Sequence, residues 1–311
     1  MIADAAERFA AKSGYQLAGV FAFGDSAQLA DELLDFVRRG TKRATAGAVA
    51  ELEADDDPVP VPGLFWGLLD GRGSPQFVIE TVEVRRGRLD SVDPAFAWDE
   101  GEGDRTFESW LDNHRRYFQR QGVAAPHDLE VLFERFRVVW PQPDEPGQLA
   151  EGVRELRFDE RPWAIEALVQ RWGTTTVVSR GLVQDTAGLP ALVAERDGQR
   201  VGLLTFRPRP GGQTEIVTVD AFELGRGIGG ALLAGATALG RRNGWRRLWL
   251  ITTNDNTRAL RSYQRHGFDL AELHRGAIDR FRQLKPGIPL SDFDGIPISH
   301  ELELELRLDH R

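Results

Sequence analysis

Hydrophobic residues in the first half of the chain recur at helical spacing in two places and form strand-like runs in others. Apolar positions at i, i+4, i+5 and i+8 predict a helix over residues 26–39 that ends at Gly40, and a second helix is predicted over residues 106–119. Apolar and alternating runs predict strands over residues 65–69, 77–84 and 136–140. The pattern is typical of a small, curved α+β domain or a barrel.

The second half alternates between strand and helix patterns. It predicts helices over residues 161–172, 227–243 and 256–266. It predicts strands over residues 153–157, 190–196, 200–206, 214–219, 246–252, 268–273 and 300–308. Asp197-Gly198 predicts a tight hairpin turn between the second and third of these strands. Repeated strand and helix patterns of this kind indicate a separate α/β domain.

A proline-rich segment divides the two halves. Residues 141–147 contain three prolines and a glycine, and proline both fixes φ and lacks an N–H donor. We therefore expect neither a helix nor a central strand to run through this segment. The sequence predicts an α+β protein of two domains, with the first over residues 1–140, a linker over 141–151 and the second over 152–311.

Composition excludes several classes of function. The 311-residue chain has no cysteine, which excludes disulfides, a thiol nucleophile and cysteine-ligated metal sites. Its six histidines show no HExxH spacing, so we expect no metal. The chain lacks an apolar run long enough for a membrane span and begins without a signal-peptide pattern. We therefore expect a cytoplasmic protein with no membrane partner.

Charge is distributed unevenly along the chain. Residues 1–140 carry 16 basic and 25 acidic side chains, a net charge of −9, which disfavours a general polyanion-binding surface. A nucleoside-sized ligand fits this half better than long RNA. The whole chain has only three lysines, Lys12, Lys42 and Lys285. Because arginine cannot replace an amine that must lose its proton, each lysine is a candidate for chemistry.

A glycine-rich loop follows the predicted strand 214–219. Residues 224–230 read Leu-Gly-Arg-Gly-Ile-Gly-Gly and lead into the predicted helix 227–243. The first N–H groups of a helix have no intrahelical partners, and glycines allow a phosphate to approach the backbone. A tightly packed turn gives the same pattern. The dinucleotide and P-loop interpretations fail, because the loop follows the fourth strand and no Gly-Lys-Ser/Thr occurs.

Two motifs in order resemble the GNAT acyltransferase superfamily. Leu224, Gly227 and Gly229 match its Gln/Arg-x-x-Gly-x-Gly/Ala cofactor loop, with Leu224 in place of the usual Gln or Arg. Residues 256–268 resemble its Asn-x-x-Ala-x-x-x-Tyr-x-x-x-Gly-Phe segment. The resemblance covers residues 152–309. It implies a GNAT α/β fold with a mixed, mostly antiparallel central sheet, and acetyl-CoA as co-substrate without a metal.

The same resemblance implies roles for individual residues. Backbone N–H groups near Val217 and Val219 would hold pantetheine and polarise the thioester carbonyl. Tyr263 would give a proton to the leaving thiolate, and Glu215 is a candidate base for the acceptor amine. If they have no catalytic role, Tyr263 is a core tyrosine and Glu215 is an exposed carboxylate on the strand. The other implied cofactor-binding residues are Leu224, Gly225, Arg226, Gly227, Gly229, Gly230 and Asn256.

A second candidate site lies in the first half. Lys42 and Thr45 stand three residues apart after the first predicted helix, and the acidic segment 99–106 precedes the second. An amine, a hydroxyl and a carboxylate together can carry out hydroxyl attack on an acyl carbon. Without such chemistry, residues 40–45 would form a phosphate-facing turn and residues 99–106 a loop that caps a helix. Composition alone favours these structural roles.

This half resembles the ASCH domain of the PUA-like barrels over roughly residues 18–140. The resemblance rests on Gly-x-Lys-x-x-Thr at residues 40–45, on Phe-Gly-Asp-Ser at 23–26, and on the acidic residues 100–104. The domain is associated with RNA. Some small members are amidohydrolases that deacetylate N4-acetylcytidine with a Lys-x-x-Thr pair and a glutamate.

The resemblance implies that Lys42 and Thr45 are this pair and that Glu102 is the acid. Glu100 and Glu80 are the alternative acids. It also implies a PUA-like/ASCH β-barrel with helices as the fold of the first domain.

Three functions remain open from the sequence. The leading hypothesis is an acetyl-CoA-dependent N-acyltransferase with an ASCH accessory domain, acting on a small-molecule amine or nucleoside. In the second, the ASCH half hydrolyses N4-acetylcytidine or a related amide. In the third, the ASCH half only binds RNA or a nucleoside and brings it to the transferase.

Overall fold

The structure is a computed structural model that describes residues 2–54, 58–123, 128–142, 147–179, 182–223, 225–282 and 287–308. The chain forms two compact units, Met1–Glu145 and Pro146–Arg311. Each unit builds its own main sheet.

The first unit combines five strands with five α-helices in the described part of the chain. The strands are β1 (Gly19–Phe21), β2 (Ala44–Ala48), β3 (Phe65–Leu69), β4 (Pro75–Arg88) and β5 (Glu130–Trp140). The helices are α1 (Ile2–Ser13), α2 (Ala27–Arg38), α3 (Val49–Ala54), α4 (Pro94–Glu100) and α5 (Phe107–Arg120). The side chains of Ser26 and Thr106 cap α2 and α5, as expected for hydroxyl residues at helix starts.

The strands of the first unit form one sheet in the order β1-β3-β4-β5-β2. β1 is parallel to β3, and the other neighbours are antiparallel. Register shifts interrupt the β4–β5 pairing near Thr81, and such bulges bend a strand. No pairing joins β1 to β2 within the described ranges, so the predicted ASCH-like barrel takes the form of a half-barrel.

Successive residues of β5 point to opposite faces of the sheet, and apolar residues are buried on both faces. Phe133 packs against Phe96 of α4 and Trp110 of α5. Phe136 packs on the other face against Phe23 and the apolar side of α2. The sheet is therefore covered by helices on each side, and β5 forms the centre of both apolar clusters.

The second unit contains ten strands and four α-helices among its described residues. The strands are β6 (Gln148–Ala150), β7 (Val153–Glu155), β8 (Thr176–Ser179), β9 (Leu182–Asp185), β10 (Ala191–Arg196), β11 (Gln199–Arg209), β12 (Gln213–Ala221), β13 (Arg247–Thr253), β14 (Asp269–His274) and β15 (Glu301–Arg307). The helices are α6 (Arg161–Trp172), α7 (Ile228–Arg242), α8 (Thr257–Arg265) and α9 (Ala277–Arg282).

Eight of these strands form a sheet in the order β14-β15-β13-β12-β11-β10-β7-β6, and β8 pairs with β9 separately. Only the β12–β13 pair is parallel. This is the mixed, mostly antiparallel sheet that the sequence predicts. The β10–β11 hairpin turns at Asp197 and Gly198, which both have positive φ. No described helix has both the length and the apolar character needed to cross a bilayer.

Residues 148–150 lie inside the predicted linker 141–151 but form β6. β6 pairs with β7, so part of this segment belongs to the sheet of the second unit. Only the proline-rich portion has the composition that prevents pairing, which explains why the linker prediction extends too far.

Leu204→Ala is expected to destabilise the second unit. Leu204 lies in β11 with no exposed surface, and truncating such a leucine costs about 2–5 kcal/mol. Urea unfolding of the full chain, followed by tryptophan fluorescence, measures the change. The matched control is Val183→Ala, because Val183 is 64% exposed and should cost little. Equal losses for the two variants would contradict the assignment of Leu204 to the core.

Candidate functional sites

Lys42 lies between α2 and β2 and is almost completely buried, with 1% of its surface exposed. Its Nζ is 2.6 Å from Glu102 Oε1 and 3.6 Å from Glu100 Oε1. The amine also stands 5.0 Å from the ring centroid of Phe23. Burial alone would lower the pKa of Lys42, but Glu102 and Glu100 more than compensate and raise it. Lys42 is therefore an ammonium ion at neutral pH.

Gly101 explains how two nearby carboxylates reach the same amine. It ends α4 in the left-handed conformation, with φ of 76°. A Cβ atom at this position would lie 2.2 Å from the carbonyl oxygen of Thr41 and 2.8 Å from the nitrogen of Lys42. Only glycine allows this close backbone approach. Glu100 and Glu102, on either side of Gly101, both face Lys42 as a result.

Glu100 is buried and accepts several hydrogen bonds. The backbone N–H of Ala46 donates to Oε1 over 3.2 Å, and the indole N–H of Trp110 donates to Oε2. His114 Nε2 lies 3.5 Å from Oε2. Burial raises the pKa of Glu100, but His114 and Lys42 outweigh it and hold the pKa below its usual value. Glu100 is therefore a fixed anion, and Glu102 is the more exposed of the two carboxylates.

Thr45 lies on β2 directly opposite Glu134 of β5. Opposed residues in an antiparallel pair share one face of the sheet, so this face carries a hydroxyl beside a buried carboxyl. Thr81 donates a hydrogen bond of 2.5 Å to Glu134 and accepts one from the indole of Trp66. Burial raises the pKa of Glu134 to about 7, although the Thr81 bond lowers it.

The structure places the three candidate acids differently. Glu102 and Glu100 both lie at Lys42, whereas Glu80 on β4 forms an ion pair with Arg137 at 2.6 Å. The sequence analysis missed Glu134 and His114. A single carboxylate within an apolar strand was the available signal for Glu134, and no spacing singled out His114 among six histidines.

In the second unit, β12 and β13 separate part of the way along. They pair from Gln213–Arg247 to Ile216–Leu250, and β12 then continues to Ala221 without β13. On its other side, β12 stays paired with β11 except for a register shift that leaves Val217 without an opposite residue. This bulge and the separation leave the stretch from Val217 to Val219 open on the β13 side.

The glycine loop lies between the end of β12 and the start of α7. Gly225 and Gly227 have φ near +77°, and Gly227 is the N-cap of α7. A Cβ atom on Gly225, Gly227 or Gly229 would meet nothing within 4 Å, so the loop borders open space. The positive end of the α7 dipole faces the same region. These features suit the approach of a phosphate group.

The remaining predicted loop residues have different surroundings. Arg226 is exposed, and its carbonyl accepts a bond of 3.2 Å from Arg196. A Cβ on Gly230 would lie 2.5 Å from His266 Nε2, so this glycine allows close packing beside α8. Asn256 caps α8, with its side chain accepting from the nitrogen of Ala259 over 3.3 Å. Leu224 lies outside the described residues.

Tyr263 and Asp220 interact electrostatically near the separated strands. Burial and the Asp220 charge raise the pKa of Tyr263 to about 12, so its phenol stays protonated at neutral pH. Asp220 is 3% exposed and accepts a bond of 3.0 Å from the indole of Trp172. Arg171 lies 3.6 Å away, and burial still raises the pKa of Asp220. The sequence analysis missed Asp220, although a carboxylate at a strand end before a glycine loop was a visible signal.

Glu215 is buried, whereas a strand carboxylate without a catalytic role was expected to be exposed. Gln184 donates to Oε1 over 3.3 Å, and Arg209 lies 3.5 Å from Oε2. Glu215 belongs to the part of β12 that is still paired with β13. Its carboxylate is therefore ordered by two partners just before the strands separate.

A group of potential metal ligands occurs elsewhere in the second unit. Ligand atoms of Glu272, His274 and Glu303 lie within 4.8 Å of one another. Arg247 donates to Glu303 over 2.5 Å and to Glu305 over 2.5 Å. One member of the group, Glu303, is therefore already paired with an arginine of β13.

Comparison with protein families divides the chain in the same way. Residues 19–140 match the model of the ASCH domain, and residues 150–268 match the model of the acetyltransferase (GNAT) family. Over 142 residues the chain is 35% identical to the uncharacterized protein YxbD of Bacillus subtilis, which covers 45% of this chain and 89% of that protein.

Two further comparisons concern one half each. Over 175 residues the chain is 38% identical to a mycothiol acetyltransferase of Cellulomonas flavigena, covering 48% of this chain and 50% of that protein. The crystal structure of an ASCH domain from Lactobacillus crispatus is 27% identical, covers 39% of this chain and 78% of its own, and has a TM-score of 0.36.

Glu134→Gln is expected to stabilise the protein above pH 7 and to leave it unchanged in acid. A carboxyl whose pKa is raised on folding favours the folded state at low pH and loses that contribution as pH rises. Because Glu134 has a pKa of about 7 in the folded state, Glu134→Gln should raise the free energy of unfolding at alkaline pH by up to roughly 3 kcal/mol. Urea unfolding at several pH values measures it. Glu130→Gln, an exposed position on β5, is the control, and a gain that does not depend on pH would contradict the prediction.

Proposed function

Because the chain belongs to the GNAT acetyltransferase family through its second unit and carries an ASCH domain in its first, we propose that it transfers an acetyl group from acetyl-CoA directly to a small-molecule amine or nucleoside. The observation that carries this proposal is the separation of β12 from β13 beside the N-terminus of α7. The match to a mycothiol acetyltransferase also supports acetyl transfer.

The open strand and the glycine loop fit the two polar parts of acetyl-CoA. Unpaired backbone near Val217 and Val219 would bond the amide groups of pantetheine, as a neighbouring strand does. The N–H groups of the glycine loop and the first turn of α7 would hold the pyrophosphate. In the bound state acetyl-CoA supplies an activated thioester. The loop residues concerned are Leu224, Gly225, Arg226, Gly227, Gly229 and Gly230. Asn256, the other proposed cofactor-binding residue, caps the start of α8.

Tyr263 is the proposed proton donor. A departing thiolate needs a proton, and a phenol that remains protonated at neutral pH can supply one. Burial and the charge of Asp220 keep Tyr263 in this form. The chain has no cysteine, so an acyl-cysteine intermediate is excluded.

Glu215 is the proposed base for the acceptor amine, directly or through a water molecule. An amine must be neutral to attack, and a carboxylate can remove its proton. Gln184 and Arg209 order Glu215 beside the opening between the strands. Asp220 is the alternative base, because it lies beyond the point of separation and acts on Tyr263.

Tyr263→Phe is expected to lower kcat for acetyl transfer by about 10²- to 10⁴-fold, the usual contribution of general acid catalysis. Binding of acetyl-CoA should change little, because the ring and its contact with Phe268 remain. Thiol release with a panel of amine and nucleoside acceptors measures the rate, and calorimetry measures binding. Tyr117→Phe in the first unit is the control. Full activity of the Tyr263 variant would refute the assigned role.

A second function is favoured by the buried pair of Lys42 and Glu102. Burying an ammonium ion is costly unless it is paired, and buried, paired groups of this kind are concentrated at functional sites. We propose that the first unit hydrolyses an N4-acetylcytidine-type amide. Thr45 would attack the acyl carbon as Glu102 takes its proton, and the C–N bond would break as Lys42 protonates the leaving amine of cytidine. A water molecule would then hydrolyse the acetyl-threonine ester and release acetate. The alternative is a unit that only binds RNA or a nucleoside.

Lys42→Ala is expected to abolish cytidine release from N4-acetylcytidine in the absence of CoA, because the proton donor is lost. Lys42→Arg should also be inactive, since a guanidinium does not give up its proton. Chromatography of the products measures release. Lys12→Ala is the control, and it should keep full activity. If the native chain binds acetyl-CoA but releases no cytidine, the first unit is a binding module.

A further inference from the structure

His114 lies beside the Lys42 site with 12% of its side chain exposed. It lies on α5 one turn after Trp110, and the two rings stack with centroids 3.8 Å apart and planes at 18°. His114 Nδ1 is 3.0 Å from the carbonyl oxygen of Trp110. His114 Nε2 is 3.5 Å from Glu100 Oε2. Both ring nitrogens therefore face oxygen atoms.

These neighbours determine the protonation of the ring. A backbone carbonyl oxygen can only accept a hydrogen bond, so Nδ1 must carry a hydrogen. A carboxylate is also only an acceptor, so a hydrogen on Nε2, which lies 3.5 Å from Glu100 Oε2, makes this approach an ion pair. An imidazole with hydrogens on both nitrogens is a cation. Burial lowers the pKa of His114, but Glu100 outweighs burial and raises it above the ordinary value.

We propose that His114 is a positioning residue of the first unit: as an imidazolium it holds Glu100 as a fixed anion and leaves Glu102 as the carboxylate that exchanges protons with Lys42. The protonation of His114 is inferred from these contacts and does not depend on the proposed function. Its effect on turnover rests on the proposed amidohydrolase function.

The contacts of the two carboxylates support this division of roles. Glu100 accepts hydrogen bonds from the nitrogen of Ala46 and from the indole of Trp110, and its oxygens lie 3.5 Å from His114 Nε2 and 3.6 Å from Lys42 Nζ. Glu102 contacts Lys42 at 2.6 Å, and its side chain is 27% exposed, so a ligand can reach it. Glu100 is therefore fixed by two hydrogen bonds and two cations, and Glu102 is the accessible partner of Lys42.

Charge balance gives His114 a further effect. The charged groups that face one another here are Lys42 before β2, Glu100 on α4, Glu102 between α4 and α5, and His114 on α5. Two cations and two anions give a neutral cluster. Loss of the His114 charge leaves a net negative cluster, which holds the proton of Lys42 more tightly and draws Glu100 toward the amine.

The direct test is nitrogen NMR of the full chain labelled with ¹⁵N-histidine. Long-range proton–nitrogen spectra distinguish an imidazolium from either neutral tautomer, and the loss of one set of signals in His114→Gln assigns the residue. We expect both ring nitrogens of His114 to remain protonated well above the ordinary histidine pKa of about 6.5. A neutral ring at pH 7.5, about one unit above that value, overturns the proposal.

The second test compares variants in N4-acetylcytidine hydrolysis across pH. His114→Phe removes the donor and the charge, and we expect kcat to fall by about tenfold or more, since small misplacements of a reacting group cost up to about 100-fold. His114→Gln keeps a donor without the charge, so it should recover part of kcat and shift the pH–rate profile. Trp110→Phe keeps the stacked ring but removes one donor to Glu100.

The outcomes separate the two proposals. A pH–rate profile of His114→Gln that coincides with that of the native chain overturns the positioning role. If the native chain releases no cytidine, the amidohydrolase proposal fails, and the NMR result still decides the protonation of His114. Urea unfolding then tests the charge balance: the His114 contribution to stability is present below its ordinary pKa and is lost as pH rises through the raised value. A native chain with no such alkaline loss relative to His114→Gln overturns the inference.

Discussion

Buried backbone N–H groups need hydrogen-bond acceptors, and this need determines where both candidate sites occur. Each site lies where a β-strand lacks a neighbouring strand on one side. β2 is an edge strand paired only with β5, and the nitrogen of Ala46 bonds to the carboxylate of Glu100 instead of another strand. β12 loses β13 after Ile216, which leaves backbone groups open beside the glycine loop. In the first unit a side chain accepts a hydrogen bond from the open strand, and in the second unit we propose that a ligand bonds to the open backbone.

This constraint explains why charged groups are concentrated in the interior of the first unit. Once Glu100 is fixed at the edge of β2, its charge has to be balanced inside the protein. Lys42 and His114 provide that balance, and Glu102 balances the additional cation. Because the pKa of Lys42 is raised and that of Glu100 is lowered in this cluster, these two groups keep their charges over a wide pH range. The separated strands of the second unit instead border aromatic side chains and two buried carboxylates, Asp220 and Glu215.

Sequence periodicity predicts the elements that bury a continuous apolar face. The structure has α2, α5 and α6 close to their predicted bounds, and β3 and the Asp197-Gly198 turn agree as well. β2 was missed because Ala-Thr-Ala-Gly-Ala has no strand pattern of its own. It is a strand because β5 pairs with it and because Glu100 accepts from its edge.

The chemistry of the sites was predictable only in part. Family resemblance indicated Lys42 with Glu102 and a loop before α7, but it could not indicate which side chains are buried with them. His114, Glu134 and Asp220 acquire their properties from residues distant in sequence, such as Thr81 for Glu134 and Trp172 for Asp220. Such long-range contacts leave no periodic signal along the chain.

Gly101 links the course of the backbone to the chemistry of the first unit. Most glycines at helix ends tolerate replacement with a modest loss of stability, because a bulkier residue only strains its own conformation. At position 101 a side chain would collide with the backbone of Thr41 and Lys42 and push the two flanking carboxylates apart. Because these are backbone atoms, no change of side chain at position 41 or 42 would relieve the collision, so the glycine is required by the path of the chain and not by the chemistry beside it.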